Sequence, residues 1–118
     1  MSIVYNEHDD EGVFRALSDA RRREILDLLK SRQRTTGEIC AHFDDIDRCT
    51  VIMHIDILRK ADLVISRKEG RKVWNYLDAL PIKRIHDRWI GHYADYAVEM
   101  LDKLKSGIEQ LTSRNEDE

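Results

Sequence analysis

A mainly α-helical chain closed by one β-hairpin is predicted from three observations. Apolar residues recur at steps of three and four over most of residues 12–111. That period gives way between 63 and 77 to two short β-rich runs flanking Glu69-Gly70-Arg71. A length of 118 residues with 42% hydrophobic content allows one domain with a modest core. No run of about 18 apolar residues exists to span a membrane. The acidic start, Met1 to Glu11, lacks the apolar stretch of a secretory signal. Two cysteines, Cys40 and Cys49, make a poor disulfide framework, so the expected location is cytoplasmic.

The elements follow in order. Val13, Phe14 and Leu17 share a face of a short helix from Gly12 to Leu17. Ser18 or Asp19 caps the next helix, because a short side-chain oxygen accepts from the orphan amides of a first turn. Ile25, Leu26, Leu28 and Leu29 give that helix its apolar side as far as Lys30. Thr35 or Thr36 caps a third helix, with Glu38 near its start and Ile39 and Phe43 four apart. After the turn Asp44-Asp45-Ile46, Asp47 caps a fourth helix to about Ala61, whose Val51, Ile55 and Leu58 follow the helical template. Leu63–Lys68 and Lys72–Leu77 read as strands, and Gly70 supplies the positive φ of a tight turn. Pro81 suits the first turn of a last, long helix. Ile82, Ile85, Trp89, Tyr93, Tyr96, Met100, Leu104, Ile108 and Leu111 form its stripe. About 30 residues of helix measure roughly 45 Å, more than its own domain can cover, and a second copy of the chain is the simplest cover. Gly91 and Gly107 are the places where this helix can break.

The net charge of −3 argues at first against a nucleic-acid partner. The charge is unevenly placed, however. Residues 1–12 carry −4 and residues 107–118 carry −3, whereas 13–41 and 64–77 carry +3 each. The basic islands are therefore the better pointers to a partner. Arg21, Arg22 and Arg23 in the first island serve either a phosphate or an ion pair within the fold.

Two consecutive helices joined by a short turn and followed by a basic hairpin make a winged helix-turn-helix. At 100° per residue, Val51, His54, Ile55 and Leu58 of the second helix point inward, and His54 is expected to be structural. Cys49, Met53, Asp56 and Lys60 point outward, with Arg48 and Ile52 on a shoulder. Arg48 lies in the first turn, where bases are most easily reached. Thr36 and Thr50 complete the expected contacts of the two helices, and Arg67, Lys68, Arg71 and Lys72 bring the hairpin to phosphates or the minor groove.

These segments resemble the ArsR family of winged-helix transcription regulators. VFRALSDARRREILDLL is similar to that family's first two helices, with Ala20 in place of the usual Pro and Arg21 in place of a frequent Thr. TTGEICAHF resembles its first helix-turn-helix helix, RCTVIMHIDILRKADLV its recognition helix, and SRKEGRKVWNYLD its wing. The resemblance covers Val13 to Asp78, just over half of the chain. It implies a homodimer through the first and last helices, built on Val13, Phe14, Leu17, Ile85, Trp89, Tyr93, Tyr96, Met100 and Leu104. It also implies an inverted-repeat operator and repression of transcription. Asp62 stands where the family commonly has Gly, and aspartate tolerates the left-handed backbone better than most residues. Ile52 and Met53 replace polar residues on the reading side, and Asp56 adds a negative charge there. Such a face can read thymine methyls, or can belong to a protein partner.

Cys40 and His42 resemble the family's first-helix metal motif, His42 standing in for the second cysteine, with Cys49 or Asp45 as a third ligand. The simpler reading makes Cys40 a small packing residue and His42 a solvated one. A full ligand set is not visible, so no metal and no cofactor is assigned. His86, Asp87, His92 and Asp95 do not match the family's interhelical metal spacing, which places Ala97 at the second ligand position. Cys49, near the groove, is a redox candidate, with Arg48 favouring the thiolate and Asp45 and Asp47 opposing it. The aromatic group Trp89, Tyr93 and Tyr96 is read as dimer core ahead of a pocket lining. No phosphate loop, nucleophile elbow or nucleophile–base pair points to an enzyme.

The expected organisation is an acidic segment 1–11, a DNA-binding domain 12–80, a dimerisation helix 81–112 and an acidic tail 113–118. The expected function is a sequence-specific, homodimeric repressor whose partners are double-stranded DNA and a second copy, with any effector left open. The alternatives are a winged-helix protein-interaction module that has lost DNA binding, or a metal- or redox-responsive repressor.

Overall fold

The computed structural model describes residues 6–117. Its elements run α1 (Asn6–Leu17), α2 (Ala20–Ser31), β1 (Arg34–Thr35), α3 (Thr36–His42), α4 (Arg48–Lys60), β2 (Val64–Glu69), β3 (Lys72–Leu77), α5 (Leu80–Ile85), a π-helical turn (His86–Ile90) and α6 (Gly91–Asp117). The chain divides into two compact units, one ending at Lys83 and the other beginning at Arg84.

The first unit is held by helices α1 to α4 and a three-stranded antiparallel sheet of order β1-β3-β2. Its core is aliphatic: Val13, Ile25, Ile39, Val51, Leu58 and Leu63 are all but fully buried. The helices start where short polar side chains meet orphan amides. Asp19 accepts from the amides of Arg21 and Arg22 ahead of α2, and Asp47 accepts from that of Thr50 ahead of α4. Thr35 and Glu38 close a full capping box on α3. The hydrogen bond from Arg32, followed by that from the Thr35 amide, lowers the Glu38 carboxyl to about 2. α4 ends in a Schellman arrangement. Leu63 N donates to Leu58 O and Asp62 N to Arg59 O, both at 3.0 Å, with Asp62 at φ 62°. Aspartate thus takes the left-handed position expected of glycine.

β2 and β3 pair from Val64↔Leu77 to Glu69↔Lys72, and Gly70 turns between them at φ 64°. The two-residue strand β1 pairs with β3 through Arg34↔Asn75 and Thr35↔Trp74. It was not expected, because a two-residue strand leaves no period to read. Helix α1 begins six residues before the expected Gly12, so part of the acidic N-terminal segment is helical.

The long last helix expected from the apolar stripe is present, with a π turn at His86–Ile90 between α5 and α6, whose closing bond runs from Gly91 N–H to His86 O. A Cβ at Gly91 would lie 3.1 Å from that carbonyl oxygen, so glycine permits the close approach. Gly107 lies inside α6 without interrupting it. The 27 residues of α6 extend about 40 Å. Tyr93, Tyr96, Met100, Leu101, Leu104, Ile108 and Leu111 are exposed along it, as is Trp89 in the π turn.

One residue expected at a dimer face is corrected: Val13 is 1% exposed, in the core of the first unit, and presents no surface to a partner. Phe14, at 44%, does. Among the described residues no helix is long and apolar enough to cross a membrane.

Candidate nucleic-acid interface

The candidate interface lies in the first unit and is set by which side of α4 the core takes. Val51, His54, Ile55 and Leu58 are buried, which leaves Arg48, Cys49, Ile52, Met53 and Lys60 exposed and Asp56 and Thr50 half-buried. The inward and outward sets match those expected from helical geometry. A groove of about 470 Å³ runs between α4 and the hairpin. Thr35, Thr36 and Gly37 of the α3 start line it, with Arg48, Ile52, Ile55 and Arg59 of α4 and Arg71, Lys72 and Val73 of the wing. The structure therefore brings together Thr36, Arg48, Ile52, Arg71 and Lys72. Arg67 and Lys68, on β2, are exposed outside this groove.

The two basic islands fare differently. Arginines of the first are consumed by the fold. Arg22 donates to Ala16 O at 2.8 Å and Arg15 O at 3.1 Å, and Arg23 donates to Leu17 O at 2.6 Å. These are last-turn carbonyls of α1, which two guanidinium groups thus satisfy from the next helix. Arg21 pairs with Asp45, tying α2 to the turn before α4, and Arg32 pairs with Glu38 at 2.8 Å. The wing cations Arg67, Lys68, Arg71 and Lys72, and Arg48, are exposed and make no ion pair among the described residues. The acid on the reading face is neutralised locally. Asp56 is bound by Arg59 at 2.8 Å and Lys60 at 3.4 Å. The Arg59 hydrogen bond, followed by the Lys60 charge, holds its carboxyl below the usual range.

Two buried polar side chains position this surface. His54 lies against Arg22, whose Nη1 is 3.3 Å from the ring Nδ1. A guanidinium only donates, so Nδ1 carries the lone pair and the proton of the neutral ring is on Nε2. Burial first, opposed by the Asp19 carboxylate and aided by Arg22 and Arg21, pushes the imidazole below its ordinary value. Asn75, fully buried in β3, was missed by sequence reasoning. Its Nδ2 donates to Arg34 O at 3.2 Å and to Thr36 Oγ1 at 3.1 Å, and its Oδ1 accepts from Ser66 Oγ at 2.7 Å. One side chain thus joins β1, β2, β3 and the start of α3, and fixes the wing against the helix-turn-helix. The available signal was one amide inside the apolar run Val73-Trp74-Asn75-Tyr76-Leu77.

The sensor candidates are not brought together. Cys40 is half-buried and Cys49 exposed, both as free thiols, while His42 Nε2 lies 3.1 Å from Glu24 Oε2. Among the described residues no three His, Cys, Asp or Glu side chains are placed to share a metal ion.

Comparison with known proteins agrees with this architecture. The family model described as "Bacterial regulatory protein, arsR family" matches residues 19–66. The chain is 38% identical over 66 residues to the transcriptional repressor SdpR of Bacillus subtilis strain 168, covering 56% of this chain and 72% of that protein. Among solved structures it resembles an ArsR-like transcriptional regulator from Rhodococcus sp. RHA1, with TM-score 0.63 and 25% identity over 83% of this chain and 93% of that one. It also resembles the homodimeric winged helix-turn-helix DNA-binding domain of Mb0332 from Mycobacterium bovis, with TM-score 0.59 and 25% identity over 79% of this chain and 84% of that one. The recognition helix, the basic wing and these likenesses lead to one conclusion: the chain belongs to the ArsR family of bacterial regulatory proteins and is a DNA-binding transcription regulator.

Proposed function

We propose that this regulator is a homodimeric repressor that reads an inverted-repeat operator in the cytoplasm, and that it has no enzymatic activity. One observation carries the reading. Five cations on the outer surface of α4 and the wing make no ion pair among the described residues, while arginines of the first basic island are engaged within the fold. A duplex supplies what those cations lack, a regular array of phosphates. In this arrangement α4 enters the major groove, which is wide enough to admit a helix. Arg48, Cys49, Thr50, Ile52, Met53, Asp56 and Lys60 then face base edges. Thr36 and the wing residues Arg67, Lys68, Arg71 and Lys72 hold the backbone.

The dimer is supported by the apolar residues left exposed along α6, by Phe14 on α1, and by the likeness to a homodimeric domain. Leu17, Trp89, Tyr93, Tyr96, Met100 and Leu104 are its proposed contacts. A second copy doubles the read sequence and gives the operator two-fold symmetry.

The test is association with duplex fragments from upstream of its own gene, followed by fluorescence anisotropy over a salt series. Binding should weaken with a logarithmic slope of about 0.9 per phosphate neutralised. No retained duplex at low salt, in a search of genomic fragments, would overturn the reading in favour of a protein-interaction module.

A further inference from the structure

The reading face of α4 is unusually apolar, and the role assigned to it rests on the DNA-binding function proposed for this surface. Over its first two turns the helix turns Arg48, Cys49, Ile52 and Met53 outward. Ile52 is 40% exposed and Met53 49%, although both are residue types ordinarily withdrawn from water. They are not spill-over from the core, which is filled from the opposite side of the helix. Ile52 lines the groove toward the wing, beside Arg48, Arg71 and Lys72. One turn further on, Asp56 is paired with Arg59 and Lys60, which offset its charge toward a polyanion. Beside the small Cys49 and Thr50 side chains, the first two turns offer base edges one guanidinium and a methyl-rich apolar patch.

The major groove offers one apolar feature among the standard bases, the C5-methyl of thymine. We propose that Ile52 and Met53 read thymine 5-methyl groups in each half-site, beside a guanine read by Arg48. The rim decides for DNA as the occupant. Arg48, Arg71 and Lys72 line the same groove as Ile52, and the neighbouring Asp56 carboxylate is already paired. A polyanion with methyl groups in its groove matches both parts at once.

The test isolates the methyl. The tightest duplex recovered from a randomised library is resynthesised with deoxyuridine in place of thymidine, which removes only that group. Wild-type protein should bind the thymidine duplex more tightly, by about fourfold for each methyl buried. The variant Ile52→Ala/Met53→Ala, altered only at exposed positions, should bind both duplexes with nearly equal affinity. Arg71→Ala should weaken both and keep their ratio. Equal binding of the two duplexes by wild type overturns the proposal while leaving the repressor reading intact. So does a preference that survives in the double variant, because duplex shape then causes it. If no duplex is recovered at all, both readings fall, and Ile52 and Met53 are left to a protein partner.

Discussion

Replacing Asn75 with Ala tests whether a buried amide holds the wing in place. The amide makes three hydrogen bonds, to Arg34 O, Thr36 Oγ1 and Ser66 Oγ, at 2.7 to 3.2 Å. Each contributes about 1 kcal/mol net, so their joint loss costs about 3 kcal/mol. At roughly 4–8 °C per kcal/mol for a unit of this size, the melting temperature should fall by more than about 10 °C. Urea unfolding followed by far-UV circular dichroism gives the free energy, at one fixed protein concentration because association shifts apparent stability. The denaturant slope should stay constant, which separates lost stability from a changed unfolded state. Ser66→Ala removes one of the three bonds and should cost about 1 kcal/mol. The double variant should cost less than the sum of the singles, since both lose the same bond. A loss under about 1 kcal/mol for Asn75→Ala, additive with Ser66→Ala, would refute the network as the wing's anchor.

Three further outcomes are expected. Trp89→Glu and Leu104→Glu place a charge on the apolar residues of the second unit. Each should shift sedimentation at micromolar concentration from dimer toward monomer with an unchanged helical spectrum; an unchanged dimer in both would remove the second unit from the interface. His54 is neutral in the fold because its Nδ1 faces Arg22 and burial lowers its pKa. The unfolded chain therefore binds a proton first as pH falls, and stability, complete above about 6.5, declines as pH drops toward the lowered native value. Urea midpoints at pH 7.5 and 5.5 should differ for wild type and differ less for His54→Gln; equal differences would clear His54 of the effect. Asp62→Gly relieves the left-handed strain of a side chain at φ 62° but adds freedom to the unfolded chain. The net expectation is a gain of about 0.5 kcal/mol, read from the urea midpoint, and a loss would show that the aspartate is unstrained there.

Much of the first unit was legible because its signals are local. Asp19, Thr35 with Glu38, and Asp47 mark helix starts within three residues of the amides they cap. The spacing of Val51, His54, Ile55 and Leu58 fixed which side of α4 is buried, and hence which residues can meet a duplex. Other features were not local. Arg21, Arg22 and Arg23 looked as ready for phosphate as the wing, and only the fold shows them bound to Asp45 and to the last carbonyls of α1. The strand β1 exists only because Asn75 and Trp74 lie opposite Arg34 and Thr35, some forty residues away. The π turn depends on one backbone oxygen approaching Gly91, which hydrophobic period does not encode.

By itself, then, the sequence determined the order of the helices and hairpin, the outward side of α4 and the basic wing. Those follow from period, capping and composition, which act over a few residues. The tertiary structure decided which charges remain free, since a cation's availability depends on acids and carbonyls brought near it from elsewhere in the chain. It also withdrew Val13 from the surface and assigned Asn75 its place, because burial is a property of what packs around a residue.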